Sequence, residues 1–313
     1  MVGKKNQIVS KFLKGELGLL LALIFIVILF TLLSDYFLIP KNLFNITRQV
    51  STNLIVAIGM TFVILNGEID LSVGGVAALS GIATASVLIS TGSMSLAIIT
   101  GILIGMLVGV INGILVIYGK VQSFIVTLAM MGIARGTALF WCDGRPISNL
   151  AEEFSFFGAG FIKNIPVSSI IAIFIFIIAY IFIHRTKHGL YIRSIGANLE
   201  ASKLSAIPIN RYRIITFITS GTLSGVAGVI ITSRLLSAQP VAATGLELDV
   251  IAAVILGGAS LSGGIGTMIG TLLGSTIIGV IDNGMNLVGI SAFFQQIVKG
   301  IIILAAVLIK RRD

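Results

Sequence analysis

Two pairs of carboxylates interrupt a chain that is otherwise strongly apolar. Glu68 and Asp70 occur in the segment NGEIDLSVGG, and Glu247 and Asp249 occur in the segment GLELDV. Only 11% of the residues are charged and 56% are hydrophobic, so each of these acidic groups needs an explanation. Such residues could bind a proton or an ion, line a polar path, or cap a helix by accepting hydrogen bonds from free backbone N–H groups.

The composition defines the class of protein that holds these carboxylates. The chain has 313 residues and a mean hydropathy of +1.10, and a soluble fold has too little polar surface to cover so much apolar sequence. A membrane-spanning helix needs about 20 apolar residues, so about ten helices would use about 200 residues. We therefore predict an all-α integral membrane protein of about ten transmembrane helices, with residues 1–313 forming one polytopic domain.

The net charge of +9 indicates membrane orientation rather than nucleic-acid binding, because the basic residues lie at the ends of apolar segments. Six of them lie in residues 185–213, and the others that decide the orientation flank the termini. These are Lys4, Lys5, Lys11 and Lys14 near the start, and Lys310, Arg311 and Arg312 at the end. By the positive-inside rule both termini and the 185–213 loop are predicted to be cytoplasmic.

The apolar runs give approximate positions for the ten helices. They are residues 17–33, 50–66, 70–90, 94–118, 121–141, 167–184, 214–233, 248–260, 265–283 and 291–309. Residues 142–166 then form the longest external loop. Eight spans combined with re-entrant segments would satisfy the charge bias equally well.

An internal repeat divides these helices into two halves. GILIGMLVGVINGIL, which contains Asn112, precedes QSFIV, and GTLLGSTIIGVIDNGMNL, which contains Asn283, precedes QQIV. EIDL and ELDV repeat at a similar offset. Because five spans then follow five spans, residues 17–141 and 167–309 are predicted to be inverted halves with short or broken glycine-rich helices, an arrangement typical of transporters. Chance recurrence of Gly, Leu and Ile is the alternative.

The same reasoning selects candidate residues for the translocation path or for helix breaks. A carboxylate facing lipid costs about 2.5 to 3.5 kcal/mol, so Asp70 and Asp249 are expected to face protein or water. Asp70 followed by Ser72 also suits a helix cap, and both interpretations stay open. The candidates are Asp70, Ser72, Asn112, Gln239, Glu247, Asp249 and Asn283.

Other patterns argue against catalysis. GILVIYGKV and GIGTMIG both miss the spacing of nucleotide-binding loops, and Cys142 is the only cysteine, so neither a disulfide nor a cysteine-based metal set is expected. Glycines at four-residue intervals, in residues 101–113 and again in residues 266–274, are expected to allow close helix packing. The chain is predicted not to be an enzyme and to bind no metal.

The basic loop 185–213 carries its own structural signal. Asn198 can cap a short helix over residues 199–205, with Glu200 in the first turn and Pro208 preventing its continuation. A short helix at the membrane surface would serve as a docking element. A solvated connector is the alternative.

Three segments resemble a known family. IGANLEASKLSAIPI, NGEIDLSVGG and SAQPVAATGLELDVIAAVILGGASLSGGIGT are similar to the permease subunits of bacterial ATP-binding-cassette (ABC) importers for ribose and related monosaccharides. The resemblance covers about residues 45–309. It places the chain in the superfamily of branched-chain amino acid and monosaccharide permeases.

The resemblance implies a location in the bacterial inner membrane. It also implies an assembly of two permease copies, cytoplasmic ATPase subunits that carry ATP and Mg²⁺, and a periplasmic sugar-binding protein, with lipid around it and no nucleic acid. It also implies a helix that couples the permease to the ATPase, in which Ala201 and Ser202 are the small residues at the contact. The residues of this coupling segment are Gly196, Asn198, Glu200, Ala201, Ser202 and Leu204.

The sequence departs from the family pattern at three positions. Glu68 stands where Gly is common, Ser202 where a second Ala is usual, and Ala206 where Gly follows the Ser. Two rival functions are also open. An ion-coupled or proton-coupled secondary transporter could use Asp70 or Asp249, and a channel or scaffold subunit would not need a capped cytoplasmic helix.

Overall fold

The computed structural model describes the backbone of residues 2–310 and the side-chain surroundings of residues 15–302 and 304. The helices are α1 (Val2–Leu33), α2 (Pro40–Leu65), α3 (Val73–Thr91), α4 (Met94–Ile117), α5 (Ser123–Trp141), α6 (Val167–Arg185), α7 (Lys187–Ala197), α8 (Leu199–Leu204), α9 (Ile209–Leu235), α10 (Leu246–Leu256), α11 (Met268–Leu287) and α12 (Ala292–Lys310). The predicted all-α fold class is confirmed.

The loop between α5 and α6 holds the remaining regular structure of the described chain. It contains a 3-10 helix (Glu152–Phe157) and a small antiparallel hairpin of β1 (Phe161–Ile162) and β2 (Ile165–Pro166). The terminal basic side chains that predict membrane orientation lie outside the residues whose surroundings are described. They are Lys4, Lys5, Lys11, Lys14, Lys310, Arg311 and Arg312.

Eight helices within residues 15–302 are long and apolar enough to cross a membrane, namely α1 to α6, α9 and α11. Helix α10 has 11 residues, which at 1.5 Å per residue reach only about 16 Å, roughly half of the hydrocarbon core. The described apolar part of α12, Ala292–Ile302, is equally short. Ten crossings therefore stay a prediction. Helix α10 is one of the short helices that the sequence predicted.

Helix α2 begins ten residues earlier than its sequence predicted. Pro40 occupies the first turn, where its fixed φ suits the helix and its missing N–H costs nothing, and the preceding Ile39 is extended. The sequence prediction began this helix at residue 50 and left the polar residues after Pro40 outside it. Asn42 is nevertheless buried, because this end of α2 packs against the other helices instead of facing solvent.

Glycine-containing turns shift one end of each of three other predicted helices. Helix α3 begins three residues later than predicted, α10 ends four residues earlier, and α11 begins three residues later. Gly67, Gly258 and Gly264 have positive φ values of 82°, 91° and 75° in the turns next to these helices, a region that residues with side chains rarely adopt. Gly266, predicted to lie on the packing face of α11, is outside the helix.

Helices α2, α3, α9 and α11 form the centre of the bundle. Within their apolar windows 78%, 78%, 67% and 72% of the residues are buried, compared with 6% for α1. Large apolar side chains on α1, α4, α5 and α6 are exposed on the outside of the bundle. This distribution matches helices that are surrounded by lipid on their outer faces.

Helices α4 and α9 are in direct backbone contact through glycines. A Cβ atom on Gly105 would overlap the carbonyl oxygen of Gly221, and one on Gly221 would overlap the carbonyl oxygen of Gly105. Gly109 makes a similar approach to the carbonyl oxygen of Phe217, whereas a Cβ atom on Gly101 would overlap the Thr84 side chain of α3. The predicted packing role of the glycines in residues 101–113 is confirmed.

Helices α2 to α5 and helices α9 to α12 make corresponding packing contacts. Helix α3 packs on α4, α5 and α9, and α10 packs on α11, α12 and α2. Helix α4 packs on α9, as α11 packs on α2. If α2, α3, α4 and α5 are matched in order with α9, α10, α11 and α12, each contact in one set therefore has its counterpart in the other.

Candidate functional site

Asp70 lies in a buried polar network that joins three parts of the bundle. Its side chain is in the turn before α3 and is 1% exposed. Its Oδ1 atom accepts hydrogen bonds from the backbone N–H of Ser72 at 2.9 Å and from the Ser72 hydroxyl at 2.6 Å. Its Oδ2 atom accepts one from the Ser220 hydroxyl of α9 at 2.7 Å. The Asn112 amide of α4 donates to Ser72 Oγ at 2.9 Å, so the network fixes this turn against α4 and α9.

The geometry shows whether Asp70 caps α3. The N-cap residue of α3 is Ser72, and its side chain makes no capping hydrogen bond. Asp70 is therefore not the N-cap, because its carboxylate binds the N–H of Ser72 instead of the free N–H groups inside the helix. Three donors replace the water that burial removed from the carboxylate. Its role in lining a path stays a prediction.

The second predicted carboxylate, Asp249, belongs to an ion cluster between three helices. The Lys299 ammonium group of α12 lies 2.8 Å from Asp249 Oδ2 of α10 and 3.1 Å from Asp282 Oδ2 of α11. These side chains are 21%, 15% and 12% exposed, respectively. One cation thus serves two carboxylates, and within the described chain Asp282 Oδ1 has no hydrogen-bond partner. The cluster ties the short helix α10 to both of its neighbours.

Glu247 lies on the other side of α10, against α3. A Cβ atom on Gly74 would overlap Glu247 Oε2 and the backbone carbonyl oxygen of Ala243, so this close approach needs glycine at that position. Arg135 of α5 donates hydrogen bonds from Nη1 to the carbonyl oxygens of Pro240 at 2.8 Å and Ala242 at 2.6 Å. The α9–α10 loop is therefore held by a cation from inside the bundle.

The remaining predicted path residues lie elsewhere. Gln239 is exposed in the α9–α10 loop. Asn283 of α11 and Asn42 of α2 exchange two hydrogen bonds of 2.9 Å, and Asn42 also donates to the carbonyl of Phe37 at 2.8 Å. Of the predicted set, only Asp70, Ser72 and Asn112 are brought together in one network.

The short helix predicted over residues 199–205 is confirmed as α8, and its cytoplasmic location stays a prediction. Asn198 is extended, with φ −159° and ψ 104°, and its Oδ1 accepts a hydrogen bond from the Ala201 N–H at 2.9 Å. Glu200 is in the first turn, where it also pairs with Lys203 at 2.6 Å. Helix α8 ends one residue earlier than predicted. Helix α7, which precedes it, was not predicted from the sequence.

The surface of α8 is more apolar than a solvated connector requires. Leu199, Glu200 and Ala201 are exposed, and Leu204 is 90% exposed. Ser202 is 3% exposed, and its hydroxyl donates to the Asn198 carbonyl at 2.9 Å. The expectation that Ser202 faces outward with Ala201 is wrong, because neighbouring helical residues point about 100° apart.

Comparison with known proteins decides the family. The model of the family described as "Branched-chain amino acid transport system / permease component" matches residues 42–307 of this chain. The chain belongs to this permease family. Its membrane-spanning helices and its capped helix α8 are thus parts of a multi-pass transport permease. No solved structure matches the permease.

Several curated relatives are similar to this permease over most of its length. The ribose import permease protein RbsC of Bacillus subtilis (strain 168) is 48% identical over 95% of this chain and 93% of the relative. RbsC of Escherichia coli (strain K12) is 41% identical over 99% of this chain and 98% of the relative. The L-arabinose transport system permease protein AraH of Escherichia coli (strain K12) is 39% identical over 86% and 82%, respectively.

Several polar residues that organise the permease were not among the sequence candidates. They are Asn42, Arg135, Arg213, Ser220, Asp282 and Lys299. Arg135 and Lys299 could have been selected, because they are cations inside predicted spans and an intramembrane cation needs a partner. Ser220 had no such signal, since serine is common in membrane helices and only the fold brings it to Asp70.

Proposed function

We propose that this chain is the transmembrane permease subunit of an ABC importer that takes up ribose or a related monosaccharide. The observation that carries the proposal is the 48% identity to a ribose import permease over 95% of this chain. The buried hydroxyl and amide groups near Asp70 give a sugar path suitable hydrogen-bonding partners. Asp70, Ser72 and Asn112 are the residues we assign to that path or to the turn that shapes it.

The energy for transport comes from a separate cytoplasmic ATPase, which binds ATP and Mg²⁺, and this chain binds no cofactor. We assign α8 as the helix that docks in the ATPase. Its capped start, its exposed Ala201 and the 90% exposure of Leu204 support this role, because an exposed leucine is best buried in a partner. Gly196 supports the helix from behind and does not belong to the docking face.

The orientation follows from the position of α8. An ATPase in the cytoplasm requires residues 185–213 to be cytoplasmic, and the basic residues of that loop agree with this orientation. Both termini then lie on the same side of the inner membrane. The external loop 142–166 and the α9–α10 loop face the periplasm, where a sugar-binding protein delivers its ligand.

The membrane unit is a homodimer with lipid around it. Two-fold assembly is the commonest homo-oligomer and would give two ATPase subunits equivalent docking sites. Within each copy the halves formed by residues 17–141 and 167–309 are inverted repeats. The matching helix pairings of α2 to α5 and α9 to α12 support this relationship.

Uptake by a reconstituted complex tests the function. Vesicles that contain the permease and its ATPase, with ribose-loaded binding protein outside and ATP inside, are expected to accumulate labelled ribose only when ATP can be hydrolysed. Dissipating proton and sodium gradients should leave the uptake unchanged. Uptake that follows an ion gradient without ATP would contradict the proposal and would favour a secondary transporter that uses Asp70 or Asp249.

A further inference from the structure

Three segments of backbone are in direct contact next to the start of α8. The Gly264 N–H, in the α10–α11 loop, donates to the Leu65 carbonyl at the end of α2 at 2.9 Å. A Cβ atom on Gly196, at the end of α7, would overlap the Leu65 carbonyl oxygen and lie 2.7 Å from the Gly264 nitrogen. A Cβ atom on Gly263 would lie 2.8 Å from the Gly196 Cα and 2.9 Å from the Gly67 Cα. We call these five residues the glycine junction.

The glycine junction is continuous with α8. Gly196 is two residues before Asn198, whose side chain caps α8. Ala197 lies between Gly196 and Asn198, and a Cβ atom on Gly264 would lie 2.7 Å from the Ala197 Cβ atom. The segment that connects Gly196 to α8 is therefore closely packed against the α10–α11 loop. A displacement of α8 must therefore be transmitted to the end of α2 and to the start of the turn that follows it.

An ion pair holds the same turn from the other side. Glu68, directly after Gly67, pairs with Arg213 in α9, which follows α8 in the chain. The two side chains are 11% and 25% exposed, so water screens the pair only partly. This chain has Glu68 at a position where the resembled family commonly has Gly. The ion pair with Arg213 gives Glu68 a structural role.

The turn between α2 and α3, residues 66–72, contains Asp70. Two residues after Glu68, the Asp70 carboxylate accepts hydrogen bonds from Ser72 and Ser220, and Ser72 accepts one from Asn112. A continuous set of contacts thus runs from the exposed α8 to the buried polar network. Each step is a backbone contact, an ion pair or a hydrogen bond between described residues.

We propose that Gly196, Glu68 and Arg213 are positioning residues that make the turn of residues 66–72 move together with α8. This inference rests on the proposed function, because it takes α8 to be the helix moved by the ATPase. The glycine junction carries the displacement to the start of the turn. The Glu68–Arg213 pair makes the turn move together with α9, so that the movement reaches Asp70 and the network around it.

Charge variants test the ion pair. Glu68→Gln and Arg213→Gln are expected to leave ATPase binding unchanged and to lower the number of sugars imported per ATP hydrolysed by roughly threefold or more. The exchanged pair Glu68→Arg with Arg213→Glu should return this ratio to within about twofold of the parent, since the attraction is restored. Lys187→Gln, which removes an exposed cation from the same cytoplasmic face, is the matched control.

A second pair of variants tests the glycine junction. Gly196→Ala places a methyl group against the Leu65 carbonyl, whereas Gly132→Ala adds the same group in open space on α5. We expect the first to lower the ratio of sugar to ATP with the ATPase still bound, and the second to leave the ratio unchanged.

The outcomes separate this inference from the proposed function. If the parent complex imports no sugar with ATP, the proposed function fails. If the parent works, a parental ratio in Glu68→Gln and Arg213→Gln, or a failure of the exchanged pair to restore it, overturns the ion pair as a positioning contact. A parental ratio in Gly196→Ala overturns the glycine junction as the connection to α8.

Discussion

The ammonium group of Lys299 lies 2.8 Å from Oδ2 of Asp249 and joins α12 to α10 within the apolar bundle. Helix α10 has only 11 residues, which is too short to cross the hydrocarbon core of the membrane. Side-chain contacts with its neighbours must therefore hold it in place. The same ammonium group reaches Asp282 of α11 at 3.1 Å, so one side chain connects three consecutive helices. This cluster is therefore expected to matter for stability before it matters for transport.

Replacing Lys299 by Met should destabilise the permease, because two carboxylates would then remain close together without a cation. Removing one member of a buried ion pair typically lowers the free energy of unfolding by about 3 kcal/mol or more. The temperature at which purified protein loses its native fluorescence in detergent would measure this change.

Asp282→Asn is the control within the same cluster. It removes one of two carboxylates and leaves the Lys299–Asp249 pair intact, so it is expected to have a much smaller effect. Equal destabilisation by both variants would contradict the assignment of Lys299 as the shared cation.

Gly105→Ala should separate α4 from α9. The added methyl group would overlap the carbonyl oxygen of Gly221, and overpacking of this kind costs about 2 kcal/mol. Gly136→Ala is a suitable control, because the corresponding position on α5 is open. The same thermal measurement applies, and a stable Gly105→Ala protein would show that the two helices tolerate a wider separation.

Local features could be predicted from the sequence. Asn198 caps α8 and Glu200 lies in its first turn, so short-range hydrogen bonding determines where this helix starts. Pro208 follows four residues after the last helical residue, Leu204, and is compatible with the observed end. The four-residue spacing of glycines likewise predicted a close helix contact. These patterns act within one turn or one helix, so no knowledge of the fold was needed.

Long-range partners could not be predicted in the same way. Asp70 and Ser220 are 150 residues apart, and Asp249 and Lys299 are 50 residues apart. Composition says that a buried carboxylate needs a partner but does not say which helix supplies it. The start of α2 was missed for a related reason, since Asn42 resembles a loop residue until its partner Asn283 is known.

Cysteine labelling tests the orientation of the permease. Ser205 is exposed directly after α8, so a Ser205→Cys substitution in a Cys142→Ser background offers one reactive thiol. An impermeant reagent should label it in inverted vesicles but not in intact cells. Labelling from outside the cell would place α8 on the periplasmic face and would contradict the assigned orientation.

The number of permease copies can be measured directly. Native mass spectrometry of the complex with its ATPase is expected to give a mass that contains two permease chains of 32.9 kDa each. A complex that consistently contains one chain would mean that the path is completed by a single pair of inverted halves.

The central claim is that α8 transmits the work of an ATPase to the membrane helices, and Ala201 is the residue that tests it best. Ala201 is exposed on α8 and its side chain belongs to none of the buried networks. Ala201→Arg would add bulk and charge at the docking face without disturbing a membrane helix. Ala201→Ser keeps the residue small and serves as the control.

The decisive measurement is sugar uptake together with ATP hydrolysis by the Ala201→Arg complex in vesicles. We expect normal membrane insertion and unchanged binding of the sugar-loaded binding protein, with loss of both uptake and permease-stimulated ATP hydrolysis, while Ala201→Ser behaves as the parent. If Ala201→Arg imports sugar at the parental rate with the ATPase bound, α8 is not the coupling helix.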